Sequence, residues 1–574
     1  MSKIIPLLCL SVVVSISLST LSKAAQPNEK TISISSDATA SGKPLDKFWS
    51  TCVGAGRANE ALRSSWLEQM KLVHDECGFQ FVRFHGLFHD DMFVYQVGKD
   101  GKPIYNWQYV DDVFDRLLAM GVRPFVEFGF NPTDPLKPEI LSEEEKKPKA
   151  PGIPAKKDWL GCFWWKANAI PPSDKAKWCA LVEAFLRHCI QRYGIEEVRK
   201  WYFEVWNEPN LDFFFHGGTE QKYFQLYKDT AQAVKKVDPS LRVGGPATSN
   251  FQFAVRGKET APLKKIAGDV DAVEKLDWRP IWLEDFLAYC AANKLPLDFI
   301  SCHPYPKDFP LDPVAGKVRI NRGADATRKD LTLVRNLRDQ SAYPKAEIQL
   351  TEWSSSPSSR DFSHDLLPAA TFVVKSNLDS AGLVNSLSYW TFTDVFEEKG
   401  AGDTIFHGGF GLINYQGIVK PTYHAYRFLN RLGDQFLSKT NGAIVTRHAD
   451  SGKVTALLYN YPVEEKFAVP MCESMEDAEA EQAVGTPRIA DLTLKGLPAN
   501  AKVKVTTLDK DHGNAVAAWK AMGSPEPPSR EQVQALRKEA MALKEENLQA
   551  DASGTLSLKR EITPWSLVLI ETEN

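Results

Sequence analysis

No two of the nine cysteines stand in a Cys-x-x-Cys pair, and none shares a zinc-type spacing with a histidine, so the usual sequence signs of a zinc site are missing. Cys9 lies in an apolar N-terminal run. The other eight are Cys52, Cys77, Cys162, Cys179, Cys189, Cys290, Cys302 and Cys472; several fall on apolar helix or strand positions, where buried free thiols are expected, and one disulfide stays open in an exported chain. Basic charge is not in excess: 69 Lys and Arg face 73 Asp and Glu, with no basic cluster interleaved with aromatics, which argues against nucleic acid as a partner. Gly54-Ala-Gly-Arg57 lacks the third glycine of a nucleotide-binding turn, which weighs against a doubly wound sheet. Neither a metal nor a cofactor is expected. Outside the N-terminus no apolar stretch approaches about eighteen residues, so no membrane span is expected once that segment is removed.

What the N-terminus does hold is Lys3, an apolar run from Ile4 to Val14, a weaker one to Leu21, and small residues in Ser22-Lys-Ala-Ala25. Residues 1–24 read as a signal peptide, and the mature protein is expected to be exported, periplasmic or extracellular. Its removal takes away Lys3 and Lys23 and no acid, so 69 basic residues become 67 against 73 acidic ones. That balance, with 15 tryptophans, suits a neutral ligand better than a polyanion.

With 574 residues, 43% of them hydrophobic, the chain is too long for one ordinary domain. From about residue 50 to 430, β-like and helix-like runs alternate. The β candidates are Thr51–Gly54, Phe81–His85, Pro124–Phe130, Trp201–Glu208, Arg242–Ala247, Leu297–Tyr305, Glu347–Ser354 and Ser386–Asp394. Amphipathic helices lie between them; in one, Phe224, Tyr227, Ala231 and Val234 share a face before Asp238-Pro239 ends it. Eight such units predict an α/β fold, a (β/α)8 TIM barrel, over 46–436. After residue 437 short alternating strands follow one another, predicting a C-terminal β-sandwich domain over 437–574. The segment 25–45, with Thr31-Ile-Ser-Ile-Ser35, is expected to add a strand to that sandwich. A helical insertion at about 511–547 carries a capping box, Ser529 with Gln532, and an apolar face of Val533, Leu536, Ala540 and Leu543 that needs a docking surface. Two long barrel loops, Pro132–Pro172 with its charge run Glu143–Lys149, and Ser249–Trp278, are expected on the catalytic face, where loops set specificity.

Two of the β candidates end in an acid. Trp201–Leu211 reaches Asn207 and Glu208 before Pro209, which cannot donate to a sheet ladder, and Glu347–Ser354 ends on Glu352. The carboxyl ends of barrel strands carry the chemistry, and two acids placed there suit general acid/base work. Phe203-Glu-Val-Trp-Asn-Glu-Pro-Asn-Leu211 and Leu350-Thr-Glu-Trp-Ser354 resemble the acid/base and nucleophile motifs of glycoside hydrolase family 39, the β-xylosidase and α-L-iduronidase family. Arg83-Phe-His-Gly-Leu87, Pro124–Phe130, Tyr389–Glu398 and Phe406–Leu412 resemble its bacterial β-xylosidase branch in order and spacing, as do Gly513-Asn-Ala515, Trp519, Met522-Gly523 and Pro528-Ser529 in the sandwich insertion, so the resemblance covers about residues 45 to 574.

The resemblance implies a retaining exo-glycosidase acting on an oligosaccharide or glycoside, with Glu352 as nucleophile and Glu208 as acid/base. It also implies that Asn207 bonds the sugar 2-hydroxyl, that Tyr305 orients Glu352 and that His303 reaches the carboxylates. His85, Trp390, Glu397 and Glu398 complete the expected sugar pocket, only one of the two glutamates pointing at the sugar. Pro304 and Pro306, His89, and Trp353-Ser354 depart from the family pattern. Xylose is the leading sugar; arabinose, galactose, a uronate or an exopolysaccharide bond stay open, as does a carbohydrate-binding protein without catalysis. The oligomeric state is not legible.

Overall fold

A computed structural model describes residues 30–132, 161–253, 266, 268–308 and 320–573. The signal-peptide segment and the charge run Glu143–Lys149 lie outside the described residues. A first strand, β1 (Thr31–Asp37), precedes eight parallel strands that close into a barrel. These are β2 (Cys52–Arg57), β3 (Phe81–His85), β4 (Arg123–Phe128), β5 (Tyr202–Val205), β6 (Arg242–Ser249), β7 (Phe299–His303), β8 (Glu347–Trp353) and β9 (Ser386–Tyr389). Each matches a predicted run, because a parallel strand covered on both faces is almost continuously apolar. A helix follows each strand; Glu220–Val237, for example, is capped by Thr219, buries Phe224, Tyr227, Ala231 and Val234, and stops at Asp238. The fold is therefore a (β/α)8 TIM barrel with a further β domain.

Strand alternation divides the barrel residues between two environments. Val82, Val126, Phe203 and Ile300 join the main core beneath the helices. On the other face Cys52, Phe81, Phe125, Tyr202 and Phe299 form their own aromatic cluster at the start of five strands, with Phe125 and Tyr202 stacked at 4.8 Å. Two residues further along come Arg83, Glu127 and Glu204, and two beyond these His85 and His303, all buried. The interior thus passes from an aromatic plug to a charged layer to the carboxyl-terminal face of the barrel. Gly54 belongs to this arrangement: a Cβ there would lie 2.3 Å from the Trp390 ring.

The sandwich strands are β10 (Gln435–Thr440), β11 (Ala443–Arg447), β12 (Val454–Tyr459), β13 (Arg488–Lys495), β14 (Lys502–Leu508), β15 (Lys544–Gln549), β16 (Leu556–Ile562) and β17 (Leu567–Thr572). One sheet has the order β1, β13, β16; the other runs Lys43–Pro44, β10, β11, β12, β17, β14, β15. Ile32, Ile34, Val445, Leu492, Val505 and Ile570 lie in the core between them. Strand β1 pairs in parallel with β13, Ile32 opposite Ala490. In the helical insertion, Ser529 and Gln532 form the reciprocal cap of Arg530–Met541, and the buried Leu536 and Ala540 face the barrel, where His424 Nε2 lies 2.8 Å from the Ala540 carbonyl. From Lys544 the insertion expected as helical over about 511–547 gives way to strand: Lys544–Gln549 is an edge strand paired, among the described residues, with β14 alone. A second helix, Met475–Gln482, capped by Ser474, also interrupts the sandwich. Among the described residues no helix is long and apolar enough to cross a membrane.

Candidate active site

Strand β5 ends at Val205, and the chain turns sharply, with Trp206 at φ 70° and Glu208 at φ 43°. The turn is pinned on both sides. Trp206 Nε1 donates to the Phe214 carbonyl at 2.7 Å, and the Glu208 amide donates to the Ala247 carbonyl of β6 at 2.8 Å. Asn210 bonds the Ser249 backbone in both directions, at 3.1 and 2.8 Å. Glu352 stands in β8 within the register shift that falls between Leu350 and Trp353.

These two carboxylates meet over the barrel axis. One ligating atom each from Glu208, His303 and Glu352 lie within 4.8 Å of one another, all three side chains buried. His303 Nδ1 is 2.8 Å from Glu208 Oε1, and its Nε2 is 3.1 Å from Thr351 Oγ1. The Tyr305 hydroxyl donates to Glu352 Oε2 at 3.3 Å, so Pro304 and Pro306 leave it within reach of that carboxylate. Each member of the trio is already engaged by a protein group, an arrangement suited to handling protons.

Below them sits Arg83, to which the motif reading gave no role. Its Nε donates to Glu204 at 2.6 Å, Nη1 to Glu352 Oε1 at 2.8 Å and Nη2 to Asn207 Oδ1 at 2.8 Å, with Glu127 3.0 Å from Nη2. Burial disfavours its charge, but Glu204, Glu127 and Glu352 hold it protonated. Because Asn207 Oδ1 accepts from Arg83, its NH2 group faces away from the guanidinium. The signal available in the sequence was an arginine in the middle of the apolar run Phe81–His85, a place where only a paired charge is stable.

His85 Nδ1 lies 2.6 Å from Glu127, while its Nε2 stands 3.7 Å from both Glu352 and Glu398. The buried Trp390 ring packs 4.8 Å from His85. Glu397 and Glu398 part company: Glu397 is held at 2.8 and 2.7 Å by Arg57 and Arg63, whereas Glu398 turns toward His85. Of the sugar-pocket residues expected from the sequence, Glu397 is thus the one the structure ties to a separate ion-pair cluster. Departing residue His89 packs its ring 4.8 Å from Trp165 and contacts Asp91, at the rim of the same cluster.

Burial dominates the electrostatics. It pushes the Glu208 carboxyl up to about 7, only partly offset by Ser249, His85 and Arg83. It raises Glu127 to about 8 against the pull of Arg83, and Glu398 well above the ordinary range with help from Glu352 and Glu208. Glu352 is raised by burial too, with His303 and Arg83 opposing. Both His85 and His303 are pushed down to about 4 and are neutral near pH 7. Glu397 goes the other way: Arg57 and Arg63 outweigh its desolvation and lower it.

The described ends of the long β4 loop wall this site. Gly161–Cys162 pairs with Ala167–Asn168, and Phe163 between them stacks on His85 at 5.6 Å. The Trp164 amide donates to the Glu398 carbonyl at 2.8 Å, leaving its indole 65% exposed. Phe214, in the loop after Glu208, packs 5.0 Å from Phe163, and its neighbour Phe213 is 58% exposed. In the second long loop, Phe251–Phe253 pairs with Trp278–Pro280.

A family model described as Glycosyl hydrolases family 39 matches residues 32–557. The chain is 36% identical over 534 residues to the beta-xylosidase of Geobacillus stearothermophilus, covering 92% of this chain and 93% of that protein. It is 34% identical over 546 residues to the beta-xylosidase of Caldicellulosiruptor saccharolyticus, covering 92% and 96%. The fold superposes on the crystal structure of the GH39 enzyme from Xanthomonas axonopodis pv. citri with a TM-score of 0.77 at 32% identity, over 94% of this chain and 97% of that one. A match of this extent, over a barrel that brings two acidic strand ends together, makes the protein a glycosidase that belongs to glycoside hydrolase family 39.

Proposed function

We propose that the protein is a retaining exo-glycosidase that releases terminal β-D-xylose from oligo- or polysaccharides, and that residues 1–24 direct it out of the cytoplasm. Glu352 attacks the anomeric carbon while Glu208 gives its proton to the leaving oxygen; water, deprotonated by Glu208, then cleaves the glycosyl-Glu352 ester. The observation that carries this reading is the close approach of the Glu208 and Glu352 carboxylates, one oxygen of each lying within 4.8 Å of the other. Retaining enzymes place their carboxyl groups about 5–5.5 Å apart, whereas inverting ones leave about 6.5–9.5 Å for a water.

The environments of the two acids support the division of labour. Glu208, lifted to about 7, keeps a proton to give near neutral pH. At Glu352 burial raises the carboxyl, and Arg83 at 2.8 Å opposes it and favours the anionic, nucleophilic form. Asn207, Trp390, His85 and Glu398 offer an amide, a ring face and acceptors to one sugar ring. A neutral sugar is favoured over a uronate because the buried cations here are already paired, Arg83 with Glu204 and Glu352 and Arg57 with Asp91 and Glu397. Xylose itself is supported by the relatives named as beta-xylosidases.

The test is proton NMR of the first sugar released from an aryl β-D-xyloside. Retention gives β-xylose before mutarotation; α-xylose first would sink the mechanism. Faster turnover of the aryl arabinoside or galactoside would change the sugar and leave the mechanism standing.

A further inference from the structure

The chain of hydrogen bonds behind Glu208 has a direction. Glu204 accepts from Arg83 Nε at 2.6 Å through one oxygen and from the Thr351 hydroxyl at 2.8 Å through the other. A carboxylate paired with a guanidinium is an acceptor, so the single Thr351 proton is spent on Glu204. The Thr351 oxygen, 3.1 Å from His303 Nε2, is left to accept, and His303 must carry its proton on Nε2. A neutral imidazole has only one N–H, so Nδ1 presents a lone pair to Glu208 Oε1 at 2.8 Å. The bond closes only if Glu208 supplies the proton.

We infer that Glu204 and Thr351 are positioning residues that fix the His303 tautomer, so that His303 accepts from protonated Glu208 and holds that proton in place until the leaving group takes it. When the C1–O bond breaks and the proton passes to the leaving oxygen, the Glu208 carboxylate faces a lone pair. Its affinity for a proton from water is thereby kept high for the second step. This rests on the acid/base role proposed for Glu208.

Other charges face the pair and belong in the account. Arg83 and His85 from β3, Glu127 from β4 and Glu352 from β8 act on one or both of Glu208 and His303, and Tyr305 approaches from the loop after β7. Glu398 approaches from the loop after β9. None of them supplies the directional bond to His303 Nε2, which Thr351 makes.

The experiment is the pH profile of kcat/KM on xylobiose for the full-length wild type and for Thr351→Val and Thr351→Ser. Valine removes the oxygen that fixes Nε2–H, freeing the other tautomer to donate from Nδ1 to ionised Glu208. The basic limb should then fall by about one pH unit, the effect of one hydrogen bond to the charged form. Serine keeps the hydroxyl and should leave the limb in place. An unmoved or raised limb in Thr351→Val overturns the inference, as does a shift of equal size in Thr351→Ser. Nitrogen-15 NMR of histidine-labelled wild type, with His303→Gln identifying the resonance, reads the tautomer directly: a protonated Nε2 supports the inference and a protonated Nδ1 overturns it, even if the valine variant does not fold. Glu208→Ala separates the two proposals. If it keeps full activity on xylobiose the acid/base reading fails and the inference with it; if it loses that activity while the valine limb stays put, the inference alone fails.

Discussion

Arg83→Met isolates what the buried guanidinium does. Methionine spans a similar length but removes the positive charge that touches Glu204, Glu352, Glu127 and Asn207. Each carboxylate that loses this partner must stay charged without one or take up a proton, and the proton is the cheaper course. For a glutamate with an unfolded value of about 4.3, neutralisation costs about 4 kcal/mol at pH 7 and about 1 kcal/mol at pH 5. With Glu352 losing its contact at 2.8 Å, the variant should be destabilised by up to one such term at pH 7 and recover most of it at pH 5. The sign follows from linkage. Without Arg83 the Glu352 carboxyl, already raised by burial, loses a group that opposes the rise, so its stabilising share is complete below the unfolded value and is lost as pH rises through the folded one. Urea unfolding by tryptophan fluorescence at the two pH values measures the difference. A deficit of equal size at both would mean that methionine merely packs badly, and that Arg83 does not neutralise the site. Turnover of aryl xylosides should fall by at least about a hundredfold even at pH 5, because both the nucleophile and Asn207 lose their alignment.

Removing the proposed nucleophile as Glu352→Gly should abolish hydrolysis, and azide should restore turnover of an aryl xyloside with α-xylosyl azide as product; a β-configured product would place the nucleophile elsewhere. Glu398→Gln should lower kcat/KM at least about tenfold through lost sugar contacts, while Glu397→Gln, which breaks the contacts to Arg57 and Arg63, should act mainly on thermal stability, with its effect fading as pH falls and wild-type Glu397 protonates. Comparable kinetic losses for both would show that Glu397 also meets the sugar. Trp164 and Phe213 offer exposed rings beside the pocket, so Trp164→Ala should reduce kcat/KM on xylotriose about tenfold and spare β-xylosyl fluoride, whose leaving group reaches no ring; equal losses on the two substrates would assign the indole to the loop's folding instead.

The barrel was legible because its strands are buried on both faces, and Glu208 and Glu352 were legible because an acid at the end of such a strand is chemically conspicuous. Arg83, Glu204 and Thr351 were not, since their meaning depends on closure. Only when β3, β5 and β8 come around one axis do an arginine, a glutamate and a threonine become a single network. Glu397 and Glu398 posed the opposite difficulty. Adjacent residues in a loop have no fixed alternation, and Arg57 and Arg63, which choose between them, come from residues far upstream. In the sandwich, Lys544–Gln549 reads as polar, and nothing in its pattern separates it from the helix before it. An edge strand needs only one neighbour and carries charge on its open side.

The departures from regular strand geometry gather where the chemistry is. Register shifts fall between Gly54 and Arg57 in β2, Pro246 and Thr248 in β6, and Leu350 and Trp353 in β8, each toward the carboxyl end of its strand. Left-handed backbone at Trp206, Glu208, Ala247 and Asn250 marks the ends of β5 and β6. Such conformations cost about 1–3 kcal/mol each for residues with a side chain, and they persist only where their surroundings overdetermine them. Here those surroundings are specific: the indole of Trp206 on Phe214, the Glu208 amide on Ala247, the paired bonds of Asn210 and Ser249, and the Asn250 amide on the His303 carbonyl at 2.9 Å. An ideal strand through Glu208 would continue the alternation that sends one residue inward and the next outward. The sharp turn lets Asn207 and Glu208, neighbours in sequence, serve the same pocket, with Asn207 tied to Arg83 below and Glu208 to His303 beside it. The buried tryptophan and the proline that follows are therefore part of the acid's aim.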